Sequence, residues 1–453
     1  MRKPVFILLL TLTLFLGLFT LLEHEGFYRY TLGLVAKNWV NDDGGIRRER
    51  KPYEHPTSSN YIQWDGVHYQ FIKVHGYDVE RTGSDYIFAF FPLFPYLWRL
   101  THLPPLGILF LNYLFFSGGL LWLLRLFSPP QHRVRDTLLA LSLPGLIIFL
   151  LPYTEATYFL VVTLGIAGLM KERYGLYFAG FYLAALTRPS FTFLLLSLLA
   201  TEGVFAVQYR SVWRLLKQVG LRILPLLLGT LTVSVIQLWQ GSGDPLRFIK
   251  VQKYWSNVLG VPHGLSDWSH EGFGINIAVV FLIFVPLLTL LLRVIYRQLF
   301  LREERPFRAS DPRDYLTLLS LFYLVGNTLF VLLFRGGSLH CLFRFTLVNP
   351  FAYLLLFSAF RHLQPVPLEL RSFFFFTLVF TAFIVLILSN YSSHWSFSYT
   401  GFILMVLTLG LFLFQDHPAT RLYRTLLYST YGLNILWTTY LFNTYISNGW
   451  IFA

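Results

Sequence analysis

Long apolar runs alternate with short polar or basic connectors along almost the whole chain, and such runs are long enough to cross a bilayer as helices. The first run, residues 4–22, follows Arg2 and Lys3 and leads into Glu23-His24-Glu25-Gly26 with no small-residue cleavage site. It is expected to be a retained signal anchor. Further spans are expected at 104–127, 136–152, 156–170, 175–187, 190–207, 223–240, 275–297, 315–334, 345–360, 372–389, 398–415 and 425–446. That makes about thirteen, within a range of 11–13, because 175–207 reads either as one long helix or as two short ones. Proline disfavours helical geometry at the residue before it, and an arginine at mid-membrane is expensive, so a break at Arg188-Pro189 is the better reading.

Charge supports that break. With the N-terminus inside, it places the connectors 128–136, 171–174, 208–222, 297–313, 361–371 and 416–424 all on the inner face, and these are the basic ones. The segments left outside are 23–103, 152–156, 187–190, 241–274, 335–344 and 390–396. The expected fold is an all-α polytopic membrane protein, one integral membrane domain over 1–453. Its two large extracytoplasmic loops would be 23–103 and 241–274.

The first of these loops holds a polar tract at 41–60 and an aromatic run at 88–98, whose rings suit a headgroup boundary. Between them lies "WDGVHYQFIKVH". If it is helical, Val67, Phe71 and Val74 form an apolar stripe, with Asp65, His68 and His75 along a neighbouring face. A short amphipathic helix at the interface would press the stripe into lipid or protein and turn the polar set towards a cleft.

Composition agrees: 55% of the 453 residues are hydrophobic, 19% aromatic and only 13% charged, too little polar surface for a soluble domain. The net charge of +13 falls mainly in connectors, where it sets orientation and meets anionic membrane lipids; it is no sign of a nucleic-acid partner. Cys341 is the single cysteine, so one chain has neither a disulfide nor a thiolate metal site. With a single sequon, Asn390-Tyr391-Ser392, and no endoplasmic-reticulum retrieval signal, a prokaryotic plasma membrane is the expected location, with the endoplasmic reticulum as the alternative.

Nearly every polar residue without an orienting role falls outside. Asp65 reads either as a helix cap or as a reactive carboxylate. His68 and His75 with Asp65 read as ordinary polar packing more readily than as metal ligands, so no metal is predicted. Thr154 and Glu155 suit the start of a helix, and Glu155 equally suits a site. Arg188 either snorkels to headgroups or grips an anion. His340 and Arg344, four apart, would share one helical face and suit a phosphate.

"WDGVHYQFIKVHGY" followed by "FAFFPLFPYL" resembles the first luminal loop of the GPI mannosyltransferase II (PIG-V-like) family and its prokaryotic members. "PYTEATYFL", "LAALTRPSFTFLLL", "GDPLRFIKVQKYW" and "SLHCLFRFTLVNPF" follow in family order, and together they span about residues 60–350. The resemblance implies a C-type glycosyltransferase fold with its site under the first outer loop. It also implies inverting transfer of a sugar, mannose in the known cases, from a polyprenyl- or dolichyl-phosphate donor to a lipid or glycan acceptor. Asp65 matches the acidic residue expected to be the base. Glu155, Arg188, Gln252, Trp255 and Arg344 match the other outer-face motifs, with Trp64, His68, His75, Lys253 and His340 beside them as further candidate binding residues. Two positions depart from the family pattern: "TRP" at 187–189 replaces "TR[SN]", and "FRF" at 343–345 stands where Arg-Tyr is usual.

The implied chemistry needs few groups. One base takes the proton of the attacking hydroxyl, and the phosphate leaves as an anion without a general acid. Cations stabilise that anion, so no cofactor is required. The rival readings are a lipid or glycolipid flippase or transporter, an O-antigen ligase or polymerase, and a non-catalytic glycolipid-binding protein. A transporter would show mid-membrane ionisable groups, internal repeats and broken helices. Only a few mid-span polar residues, Asn112, Gln237 and Asn327, stand out, and no repeat is evident. A ligase would carry its large outer loop late, whereas the longest here is the first.

Overall fold

The computed structural model describes residues 1–23, 39–40, 46–47, 56–189, 191–206, 212–255, 257–262, 264–265, 273–301, 307–362, 367–388, 399–415, 420–448 and 451. Most of the polar tract 41–60, and the sequon at 390–392, lie outside these. Within them, regular structure is helical apart from a two-residue antiparallel pairing of Trp39–Val40 with Ile46–Arg47. Among the described residues, five helices are long and apolar enough to cross a membrane: Arg2–Leu21, Pro105–Phe127, Leu215–Trp239, Gly274–Phe300 and Pro312–Phe334. Shorter apolar helices, Glu155–Met170, Tyr174–Thr187, Thr192–Ala206 and Thr400–Leu413, accompany them. The chain is thus a helical protein suited to membrane insertion.

In chain order the described helices of six residues or more are α1 (Arg2–Glu23), α2 (Asp65–His75), α3 (Leu93–Thr101), α4 (Pro105–Phe127), α5 (Arg133–Ser142), α6 (Glu155–Met170), α7 (Tyr174–Thr187), α8 (Phe191–Ala206) and α9 (Val212–Trp239). Next come α10, which joins Phe273–Ala278 through a π-helical turn Val279–Phe284 to Val285–Phe300, and α11 (Pro312–Phe334). The last are α12 (Leu342–Leu347), α13 (Pro350–His362), α14 (Leu368–Leu388), α15 (Tyr399–Leu413) and α16 (Arg421–Ile446).

Side-chain contacts fix the helix directions. Tyr174 and Tyr177 donate to the carbonyls of Leu221 and Arg222, and Tyr182 meets Thr232, so α7 and α9 run parallel. Phe193 packs on Phe330 and Phe205 on Tyr315, so α8 runs antiparallel to α11. Arg222 pairs with Glu202 near the end of α8, which therefore descends while α7 and α9 ascend. The break at Arg188-Pro189 is real: α7 stops at Thr187 and α8 begins at Phe191. Thr11 bonds Tyr431 while Phe15 and Phe19 pack on Phe442, so α1 and α16 also run parallel.

The α6–α7 crossing brings backbones into contact because glycines line it. A methyl at Gly180 would lie 2.6 Å from the Cα of Gly165 and 2.7 Å from the carbonyl oxygen of Val161. Small residues at helix crossings of this kind are a membrane-packing device, since dispersion between close backbones replaces the missing hydrophobic drive.

Several expected elements differ. The span 136–152 is not one helix: α5 ends at Ser142, Leu143 to Gly145 turn away, and only a 3₁₀ turn, Leu146–Leu150, follows. Pro144 forces Leu143 into an extended conformation (φ −63°, ψ 125°), and Gly145 takes φ +134°, which a side chain would oppose. Yet this stretch is wholly buried, so its carbonyls need donors. Asn434 of α16 donates to Leu141 and Leu143 at 2.7 and 3.1 Å, Thr408 of α15 donates to Ser142, and Asn112 of α4 donates to Leu151 and Tyr153. The span 345–360 is likewise two helices, α12 and α13, parted at Val348-Asn349 before Pro350. The aromatic run is not an interfacial belt either: Phe88, Phe90, Phe91, Phe94 and Trp98 are all buried inside the protein.

Candidate functional site

One end of the bundle collects the charges that lack a connector role. Leu151 to Glu155 emerge from the unwound stretch and enter α6 with Glu155 as its first residue. Thr154 sits at the N-cap position but its side chain makes no capping bond, and Glu155 is the acidic residue of the first turn. Above it, α2 starts at Asp65 and lies so close that a methyl at Gly66 would meet Pro152 at 3.0 Å. Tyr445 of α16 donates to the carbonyl of Gln63 and accepts from its N–H at 2.8 Å, fixing the entry to α2. Asp65 is the first helical residue, not the cap. Trp64 takes the cap position at φ +53°, ψ −124°, a strained conformation for an aromatic residue. Strain of that kind costs about 1–3 kcal/mol and persists where the surroundings over-determine it.

Arg344, on α12, joins these two anchors. Its Nη1 lies 2.9 Å from Asp65 Oδ2 and its Nε 2.7 Å from Glu155 Oε1. Arg188, just past α7, approaches the same Oε1 at 3.5 Å. The row Asp65, Arg344, Glu155, Arg188 alternates in sign and sums to zero. It also grades in exposure: the side chains of Asp65, Arg344, Glu155 and Arg188 are 30%, 9%, 0% and 21% accessible. Aromatic faces shield it, with Arg344 over Tyr153 at 4.8 Å and Arg188 between Tyr158 at 5.5 Å and Phe345 at 5.8 Å.

The short α12 is held by buried amides. Asn276 Oδ1 accepts from the N–H of Phe343 at 3.0 Å, Asn327 donates to the carbonyl of Phe345 at 2.8 Å, Thr328 meets Thr346, and Asn349 closes the far end. A six-residue helix has no cooperative stability of its own, so these bonds set where Arg344 points.

Not every predicted residue arrives. His340 and Arg344 share no helical face, because 335–341 is a turn and Cys341 takes φ +62° ahead of α12. His340 is nonetheless close enough that burial, then Arg335 and Arg344, press its pKa down to about 4. His68, one turn from Asp65, lies against Phe90 at 4.5 Å, Tyr86 at 5.3 Å and Trp255 at 6.1 Å. Burial lowers its pKa, with Asp65 opposing. His75 lies at the opposite end of α2, about 15 Å along the axis from Asp65, where it meets Arg81 and Phe71. The stripe of Val67 and Val74 is exposed, and α2 packs on the protein through Gly66, Tyr69 and Ile72 instead.

Trp255 thus joins the site through His68, but Gln252 spends its amide on Phe248 and Asn257, and Lys253 is exposed beside Tyr254. Their loop is tied down by the Arg247–Asp85 ion pair and by Gly260 N–H donating to Leu333. Among the described residues no group of three His, Cys, Asp or Glu side chains gathers as a metal site would require. Sequence reasoning missed Tyr153, Tyr158, Tyr86, Phe90 and Asn276, since nothing in their spacing separates them from ordinary packing residues. No protein-family model, curated protein or solved structure matches the chain.

Proposed function

We propose that the chain is an inverting glycosyltransferase that moves a sugar, mannose by resemblance, from a polyprenyl-phosphate donor to a hydroxyl of a lipid or glycan acceptor. The observation that carries this reading is a partly exposed carboxylate, Asp65, held at 2.9 Å by an arginine whose other face is anchored to a buried carboxylate. In the step proposed, the acceptor oxygen attacks the anomeric carbon, its proton passes to Asp65, and the carbon–oxygen bond to phosphate breaks with the electron pair leaving on the lipid phosphate. Arg188 is the better grip for that phosphate, because Arg344 is already shared between two carboxylates. His68, Tyr86, Phe90 and Trp255 supply ring faces beside Asp65 for a sugar. The ordered motifs that resemble the PIG-V-like family, and the C-type fold that the resemblance implies, support the same assignment. So does the charge of the connectors, which by the positive-inside rule would leave these motifs on the extracytoplasmic side.

A transporter or flippase is the second reading. The interrupted α5 and the charges buried beside it favour it, since transporters bind at broken helices. The two separate on one assay. Purified protein given polyprenyl-phosphate-mannose and a panel of acceptors should form product, and Asp65→Asn should abolish transfer while leaving folding intact. Full activity in that variant would remove Asp65 as the base; lipid movement across vesicles with no product in any combination would favour transport.

A further inference from the structure

We propose that Glu155 is a positioning residue that couples occupancy of an anion site at Arg188 to the freedom of the Asp65 carboxylate, with Arg344 as the connecting group. This rests on the phosphate-and-base reading above. Glu155 has no exposed surface and offers a single oxygen, Oε1, to both cations, at 2.7 Å to Arg344 and 3.5 Å to Arg188. Its Oε2 is buried and accepts no hydrogen bond from any described residue. Arg344 in turn divides its guanidinium between Glu155 through Nε and Asp65 through Nη1.

Each interior member of the row is shared, so a change at one end is felt at the other. The Arg188 link is the longer, and Arg188 is the more accessible cation, so that is the end an arriving anion reaches. A phosphate there takes guanidinium charge from Glu155. A buried carboxylate with one unsatisfied oxygen then draws harder on Arg344, since an uncompensated charge in an apolar interior is costly. Arg344 moves towards Glu155 and gives up part of its hold on Asp65. The released carboxylate accepts the hydroxyl proton more readily, so donor binding readies the base. No covalent bond changes in this coupling.

Linkage makes the coupling reciprocal and readable without turnover. Affinity for a synthetic polyprenyl monophosphate is measured on the purified full chain for wild type, Asp65→Asn, Glu155→Gln and the double variant. Asp65→Asn returns Arg344 to Glu155 and frees Arg188, so the lipid phosphate should bind about fivefold tighter or more, the size of an ordinary coupling. In the Glu155→Gln background the same change should fall to about twofold or less, because the connection is cut. An equal factor in both backgrounds overturns the coupling, since Asp65 then acts on the phosphate directly through space. Glu155→Asp keeps the charge but withdraws the carboxyl by one methylene. It should give an intermediate factor, and it replaces Glu155→Gln if that variant does not fold. Wild type with no affinity for the lipid phosphate would overturn the phosphate reading and the coupling together. Measurable affinity with equal factors overturns the coupling alone.

Discussion

Arg344→Met should destabilise the protein far more than Asp65→Asn, although both break the same ion pair. The difference lies in what is left behind. At an effective dielectric of about 20, Glu155 gains roughly 6 kcal/mol of gross attraction from Arg344 at 2.7 Å and roughly 5 from Arg188 at 3.5 Å. Losing Arg344 removes the larger half from a carboxylate with no solvent exposure, and such breakage costs about 3–5 kcal/mol net. Asp65→Asn leaves Arg344 still paired with Glu155, and the lost carboxylate was 30% exposed, so the cost should be about 1 kcal/mol or less. Adding Glu155→Gln to Arg344→Met removes the stranded charge and should recover most of the loss. Equilibrium unfolding in mixed micelles measures all four proteins. If the double variant is as unstable as Arg344→Met, the stranded charge is not the cause and packing of the arginine stem is.

Three further expectations follow from the fold and the site. Gly180→Ala puts a methyl against the Gly165 backbone, so α6 and α7 must part; a cost of about 1–3 kcal/mol and a lower unfolding midpoint are expected. Asn434→Leu strips the carbonyls of Leu141 and Leu143 of their donor and should cost about 1–3 kcal/mol, seen as faster exchange of the amides in the unwound stretch. His340 has a folded pKa of about 4 against 6.5 ordinarily. The unfolded chain therefore takes up the proton first, and stability is lost as pH falls from about 6.5 to about 4, then levels off. His340→Gln should flatten that part of the pH dependence of unfolding, and an unchanged profile would remove His340 as its source.

The helical pattern was legible in part because apolar run length answers to one constraint, the bilayer. The break at Arg188-Pro189 was readable for that reason: an arginine and a proline in one run leave few alternatives. The break at Pro144-Gly145 carries an equally strong local signal, but the run around it is so apolar that length outweighed it. What makes the break tolerable is Asn434, 291 residues away from Leu143, and no local pattern reports that. Asn112, Gln237 and Asn327 stood out as isolated polar positions. Each proves to donate to a main-chain carbonyl, of Leu151, Phe88 and Phe345 respectively. The members of the charge row were legible singly, as ions in a chain with few. Their pairing was not, since Arg344 and Glu155 lie 189 residues apart. The supposed helical face of His340 and Arg344 failed because spacing of four implies a face only if the helix has already begun.

The helices nearest the charge row are short. α6 has 16 residues and α7 has 14, about 24 and 21 Å of helix, against a hydrocarbon core of about 30 Å and against the 23-residue α4 and α11. If both helices span the bilayer, this shortfall is a hydrophobic mismatch in one part of the bundle, and headgroups and water would sink towards the partly exposed Arg188 or the bilayer would thin. Acyl-chain length of the host membrane would then become a variable of the site itself, because it would set how far below the surrounding lipid surface the charge row lies.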